Sequence, residues 1–188
     1  EDEEEEEEDE DEEEEEAEVE AAAEALAEAE AVVPVFLFEP AVLGAEETSA
    51  FHVAAWCEAL ADLSERLGGH VLPIQGDAVE TFARLRAVLP FDAIHSHEEI
   101  GSEVTFARDR TVADWCASEG VAWHEHQQTG VFRGGVDRDR RAKEWTAFMR
   151  GGPLPAPSAA DLARVRVPPE AAGLAMPVVS PDAVGHPL

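Results

Sequence analysis

The chain has 188 residues, room for one ordinary domain and its tails, and a formal net charge of −30. The first thirty residues hold 21 acids and no base, so the other 22 acids face all 13 Lys and Arg and residues 31–188 carry only about −9. No stretch approaches the roughly twenty apolar residues of a membrane span, and so acidic a start excludes an ordinary signal or transit peptide; the expectation is a soluble intracellular protein, with the compartment left open.

In chain order, residues 1–16 are all Asp or Glu. Such a run repels itself and buries no apolar surface, so it is predicted to be a disordered, solvated tail that repels DNA. Its functional alternative is an electrostatic tail for a basic protein partner such as a histone, or a mimic of nucleic acid. AEVEAAAEALAEAEA (17–31) has strong helix propensity. VVPVFLFEP (32–40) is a continuous apolar run of strand length, as in a strand buried on both faces. Thr48 or Ser49 then caps a helix whose stripe is Val53, Trp56, Leu60, Leu63 and Leu67, ended by Gly68-Gly69.

HVLPI (70–74) is a second strand, with Pro73 arguing for an edge position or an irregular end. Asp77 caps the next helix, with Val79, Phe82, Leu85 and Leu89 inward and Pro90 as its stop. FDAIHSH (91–97) is a third strand. Residues 103–119 form a third helix with Val104, Ala107, Val112 and Trp115 as its inner face, closed by Gly120, and VAWHEH (121–126) is a fourth strand. Strand and helix alternate at about thirty residues per unit, the mark of right-handed crossovers in an α/β, doubly wound parallel sheet. RDRRAKEWTAFMR (138–150) is a basic amphipathic helix, and 151–188 reads as a Pro/Ala-rich linker. The domain organisation is therefore 1–30, 31–150 and 151–188.

Such sheets bind ligands at the carboxyl ends of their strands. Those ends are Phe38-Glu39, Gln75-Gly76-Asp77, His97-Glu98-Glu99 and His126-Gln127-Gln128. His95/His97 and His124/His126 form two HxH pairs, which makes zinc conceivable with Glu99 or Glu125, although histidines at strand ends more often bond to backbone or a carboxylate; no metal is expected. Glu98 and Glu99 are adjacent, so only one of them faces the crevice. It either does acid–base work there or caps the helix that follows. No GxSxG, P-loop or GxGxxG is present. Cys57 and Cys116 lie in apolar helical patterns without CxxC spacing and read as buried thiols. The four tryptophans read as core or interface residues, with an electron relay as the alternative.

VPVFLFEPAVL, QGDAVETFARL, AIHSHEEIGSEVTFARDRTVADWC, GVAWHEHQQTGVFRG and EWTAFMRGGPLPAP, in this order over residues 31–157, together resemble the N-terminal α/β domain of the DNA photolyase/cryptochrome family. The resemblance implies a Rossmann-like domain whose crevice holds a light-harvesting antenna, a deazaflavin, flavin or folate according to subfamily. It implies a cofactor-binding crevice formed by Phe38, Glu39, Glu98, Glu99, Arg108 and Asp109, with Arg108-Asp109 matching the family's Arg-Asp signature. Folate-type members carry an Asn-Glu pair just before that signature, where this chain has Val104 and Thr105.

In the family, FAD and damaged DNA bind a separate helical domain downstream, where photoexcited flavin splits the pyrimidine dimer. This sequence ends at Leu188 before any such domain, so no catalytic residue is expected here. The family also opens with a strand and a basic loop that form the middle of the sheet, and here the acidic tract and Ala/Glu segment stand in that place. The expectation is a fragment lacking its usual first, central strand. The strands at 33–38 and 93–97 must then pair with each other or leave an exposed edge, which predicts a marginal or aggregation-prone domain. Two rival readings remain: a nucleotide-binding module of Rossmann-like fold, and an interaction module whose acidic tail binds the partner.

Overall fold

The computed structural model describes residues 29–127, 130–131, 138–151 and 158–176; the acidic run and nearly all of the Ala/Glu segment lie outside them. The apolar run forms β1 (Val35–Phe38), and Pro40 opens the single turn α1 (Pro40–Leu43). α2 (Ala50–Arg66) starts at Ser49, whose backbone N–H donates to His52 Nδ1 at 3.1 Å. It is followed by Gly68 and Gly69 at φ 63° and 86°, conformations that glycine adopts without a Cβ clash. β2 (Leu72–Gln75) leads to α3 (Ala78–Val88), where the Asp77 carboxylate accepts the Glu80 N–H at 3.2 Å. β3 (Ala93–His97), α4 (Glu103–Glu119), β4 (Ala122–His126) and α5 (Arg138–Gly151) complete the α/β succession.

α4 is capped by Ser102 and closed by Gly120 in the left-handed region, at φ 66°. Open space surrounds the point where a Gly120 side chain would sit. Gly120→Ala is therefore expected to cost only the left-handed backbone penalty, about 1 kcal/mol, read as a lower midpoint in urea denaturation.

The strands pair in parallel, as the alternation predicts, but in two sheets. β1 pairs with β2 in the register Val35↔Leu72 to Phe38↔Gln75, and β3 pairs with β4 from Ala93↔Ala122 to His97↔His126. β1 and β3 do not pair with each other, and among the described residues no further strand joins the two sheets. Helices cover both faces. Phe38 packs with Leu43, Val53 and Leu60 under α2. Leu72, Ile74 and Leu85 lie on the opposite face, where Val112, Cys116 and Val121 of the α4 side continue the core. Leu37 of β1 and Ile94 of β3 both pack on that last cluster, which joins the two sheets through side chains.

Three sequence expectations are corrected. Leu63 is 43% exposed, because the last turns of α2 run past the core that holds Val53 and Leu60. On α4, Val104 and Ala107 are exposed and Asp109 is buried in their stead. The first turns of that helix turn Arg108 and Asp109 inward beside a half-buried Phe106, and Val112, Trp115 and Cys116 pack on the core. The third correction concerns the linker. Residues 158–176 pack on the body, with the short helices α6 (Ala159–Leu162) and α7 (Pro169–Ala172). Val32 and Val165 form a parallel bridge, with Val32 N–H to Arg164 O and Arg166 N–H to Val32 O both 3.0 Å. Ala171 is fully buried against Leu72, Ile74 and Leu85. Met176 N–H donates at 2.8 Å to the carbonyl of Pro73 on the outer edge of β2, an edge where proline's missing N–H costs no ladder bond.

Candidate functional site

β1 delivers Glu39, β3 delivers Glu98 and Glu99, and the first turns of α4 deliver Arg108 and Asp109, all at the carboxyl ends of the strands. Arg108 is the centre of the arrangement. Its Nη1 donates to Glu39 Oε1 at 2.6 Å, its Nη2 to Glu99 Oε2 at 3.2 Å and its Nε to Asp109 Oδ1 at 2.8 Å. Each of the three guanidinium nitrogens thus meets a different carboxylate, and Glu39 is almost fully buried. Burial pushes the Glu39 carboxyl above its ordinary value even with Arg108 beside it. Burial also works against the Arg108 charge, but Glu39 and Asp109 outweigh it and hold its pKa above the ordinary one.

Of the six residues expected at the crevice, the structure gathers Glu39, Glu99, Arg108 and Asp109 around this one cation. Phe38 lies beneath them in the core, 1% exposed. Glu98 extends the β3–β4 ladder through its backbone N–H, which donates to His126 O at 2.9 Å. The Glu99 carboxylate also accepts the Gly101 N–H at 2.5 Å, so the loop before α4 is held by the same residue. With its nitrogens committed, Arg108 acts as a brace between β1, the β3 loop and α4. The strand ends here are rich in carboxylates, which accept N–H donors and repel phosphate oxygens.

The register aligns His95 with His124 and His97 with His126, which puts four imidazoles on one face of the second sheet. His95 Nδ1 and His126 Nε2 are 2.9 Å apart, with the rings nearly coplanar at 3°. The two nitrogens share a proton along that line, a geometry that suits a hydrogen bond better than a shared metal. Among the described residues no group of three or more His, Cys, Asp or Glu is arranged to hold a metal ion. Burial first, then the neighbouring His124, depresses the pKa of both His95 and His126 below the ordinary imidazole value of 6.5. The unfolded chain therefore takes up these protons before the folded one does. Stability should be full above pH 6.5 and fall as pH drops below it. The slope is bounded by about 1.4 kcal/mol per pH unit for each imidazole and reduced by solvent at these half-buried rings. Urea denaturation at pH 7.5 and 5.5 measures it, and His95→Leu should flatten it.

Several contacts carried no sequence signal. Arg86 donates to Phe91 O at 2.8 Å and to Glu119 O at 3.0 Å, tying α3 to the ends of its neighbours. Trp123 Nε1 donates to Ser96 Oγ at 3.0 Å across the second sheet. Trp115 stacks on Phe82 in the core, whereas Trp145 on α5 is 51% exposed. Cys116 is buried and Cys57 half-buried, both as free thiols, and burial raises both pKa values. Among the described residues no helix is long and apolar enough to cross a membrane.

The comparisons with known proteins agree with this architecture. The chain is similar to an uncharacterised 31.6 kDa protein encoded in the atpI 5′ region of Synechococcus sp. (strain PCC 6716), with 27% identity over 139 residues. That alignment covers 67% of this chain and 49% of the relative, so the chain spans about half the relative's length. Its fold is similar to that of the archaeal photolyase from Sulfolobus tokodaii, a protein described with two FAD molecules and a novel light-harvesting cofactor. There the TM-score is 0.52 at 21% identity, covering 65% of this chain and 30% of the photolyase. The DNA photolyase family model matches residues 18–149, well over half of the sequence. With the α/β order, the parallel pairing and the carboxylate-lined strand ends already in view, the chain belongs to the DNA photolyase family.

Proposed function

We propose that this chain is the antenna-type α/β domain of a light-driven flavoprotein of the photolyase/cryptochrome kind, serving pyrimidine-dimer repair or blue-light reception. The observation that supports it most is the ion cluster at the strand ends, where Arg108 fixes Glu39, Glu99 and the start of α4 in one frame. The strand-end face takes the ring of a flavin, deazaflavin or folate through its N–H groups, accepted by Glu99. Phe38 and Asp109 support the crevice from below. FAD chemistry and contact with damaged DNA belong to a helical domain of the kind found downstream in the family, and no dimer-splitting step is assigned to residues 31–150.

Titration of the purified chain with riboflavin, a deazaflavin and a folate, followed by induced circular dichroism, tests this reading. A saturable signal from one of them is expected, weakened at least tenfold by Glu99→Gln and unchanged by Arg66→Ala at an exposed salt bridge. No signal from any of the three would remove the antenna role. Stoichiometric FAD with light-dependent dimer cleavage would remove the non-catalytic one. The sixteen-acid run at residues 1–16 supports one further element, an electrostatic contact with a basic protein partner. Deleting residues 1–30 should abolish histone binding at low salt, and retained binding would exclude that contact.

A further inference from the structure

A second concave surface lies between the C-terminal halves of α3 and α4, a groove of about 270 Å³. Ala83, Arg86 and Ala87 line it from α3, and Trp115 and Glu119 line it from α4. Its polar groups are held in place by the fold. Arg86 Nη1 donates to Phe91 O at 2.8 Å and Nη2 to Glu119 O at 3.0 Å, just before β3 and β4 begin. The guanidinium also lies over the Phe91 ring, 5.7 Å from its centroid. Each terminal nitrogen keeps a second N–H, so the fixed cation still has donors to offer. The Glu119 carboxylate stands 3.8 Å from Arg86 Nε and is 47% exposed. An acceptor and a donor therefore sit side by side. Trp115 supplies the third polar group. Its ring stacks on Phe82 at 6.1 Å, and among the described residues its indole N–H meets no acceptor.

We infer that this groove binds the base of a guanine nucleoside. The carboxylate and guanidinium offset each other's charge, so they select a neutral ligand with a donor beside an acceptor. The lactam edge of guanine has that order. Its ring N–H and amino group donate to Glu119, and the neighbouring carbonyl accepts from Arg86. The Trp115 indole on one wall and the small, exposed Ala83 and Ala87 on the other leave room for a planar ring. The volume lies at the small end of ligand pockets, which suits one base and excludes a dinucleotide. Phosphates gain nothing here, because Glu119 offsets the cation that lines the groove, and the net charge of −30 opposes a nucleic-acid strand. The free nucleoside is therefore the occupant. Groove and Arg108 cluster lie at opposite ends of the strands, so filling one does not require the other.

The test is titration of the full chain with guanosine, followed through the indole N–H resonances, with Trp115→Phe identifying the Trp115 signal. A saturable shift of that signal is expected, with those of Trp56, Trp123 and Trp145 unmoved. Glu119→Gln turns one acceptor oxygen into a donor, and Ala87→Leu fills the gap for the ring. Both side chains are exposed, so each variant should weaken guanosine at least tenfold at an unchanged melting temperature. 1-Methylguanosine, blocked at the ring N–H, should bind at least tenfold more weakly than guanosine. An absent Trp115 shift up to the solubility of guanosine would overturn the inference. So would equal affinity for 1-methylguanosine, or undiminished guanosine binding by Ala87→Leu. A guanine-containing oligonucleotide that binds as tightly as guanosine would overturn the choice of the free nucleoside.

Discussion

Arg108→Met is expected to destabilise the domain by about 3 kcal/mol, the low end of the range for breaking a buried ion pair, because the guanidinium keeps some contact with solvent. The loss comes less from the missing attraction than from what remains. Glu39 stays buried with no counter-ion, and Glu99 and Asp109 are left close to it. Since burial already raises the Glu39 pKa, the variant should respond by protonating Glu39 and should recover part of its stability as pH falls. Glu39→Gln in the Arg108→Met background should recover part of it at neutral pH as well. A double-mutant cycle in urea then isolates the coupling, expected to exceed about 1 kcal/mol. Additive single effects would show that the three carboxylates do not act through this cation.

The second large effect lies far from the crevice. Ala171 is 0% exposed in α7 and touches the Leu72, Ile74 and Leu85 cluster. Ala171→Asp places an unpaired carboxylate among these side chains and should cost on the order of 3–5 kcal/mol. Ala171→Ser buries one hydroxyl and should cost about 1 kcal/mol. If residues 158–176 were a loose tether, both changes would stay within about 0.5 kcal/mol, as surface substitutions do. Thermal unfolding of the two variants beside the parent chain decides between a docked segment and a free one.

Much of the fold was legible because its signals are local. Asp77 caps α3 and Gly120 closes α4 at the positions where side-chain chemistry and a left-handed backbone require them. Pro73 falls on an outer edge, as its missing N–H demands. The docking of 158–176 was illegible for a physical reason. Its contacts come from Val167, Ala171, Leu174 and Ala175, a spacing near a helical one, but Pro168, Pro169 and Gly173 interrupt the stretch and give it the composition of a linker. The inner face of α4 was misassigned at Val104 and Ala107 because apolar periodicity assumes an apolar partner, and this helix instead presents Arg108 to carboxylates and buries Asp109 beside it.

By itself the sequence determined the α/β order, the strand directions, the three helix starts near Ser49, Asp77 and Ser102, and the family signature around Arg108. Each of these rests on residues within a turn or two of one another. Tertiary structure alone decided that Glu39 and Arg108, 69 residues apart, share one ion cluster. It also decided that His95 meets His126 and that β1 and β3 do not pair with each other. Those outcomes depend on which elements become neighbours in space, and no local propensity records that.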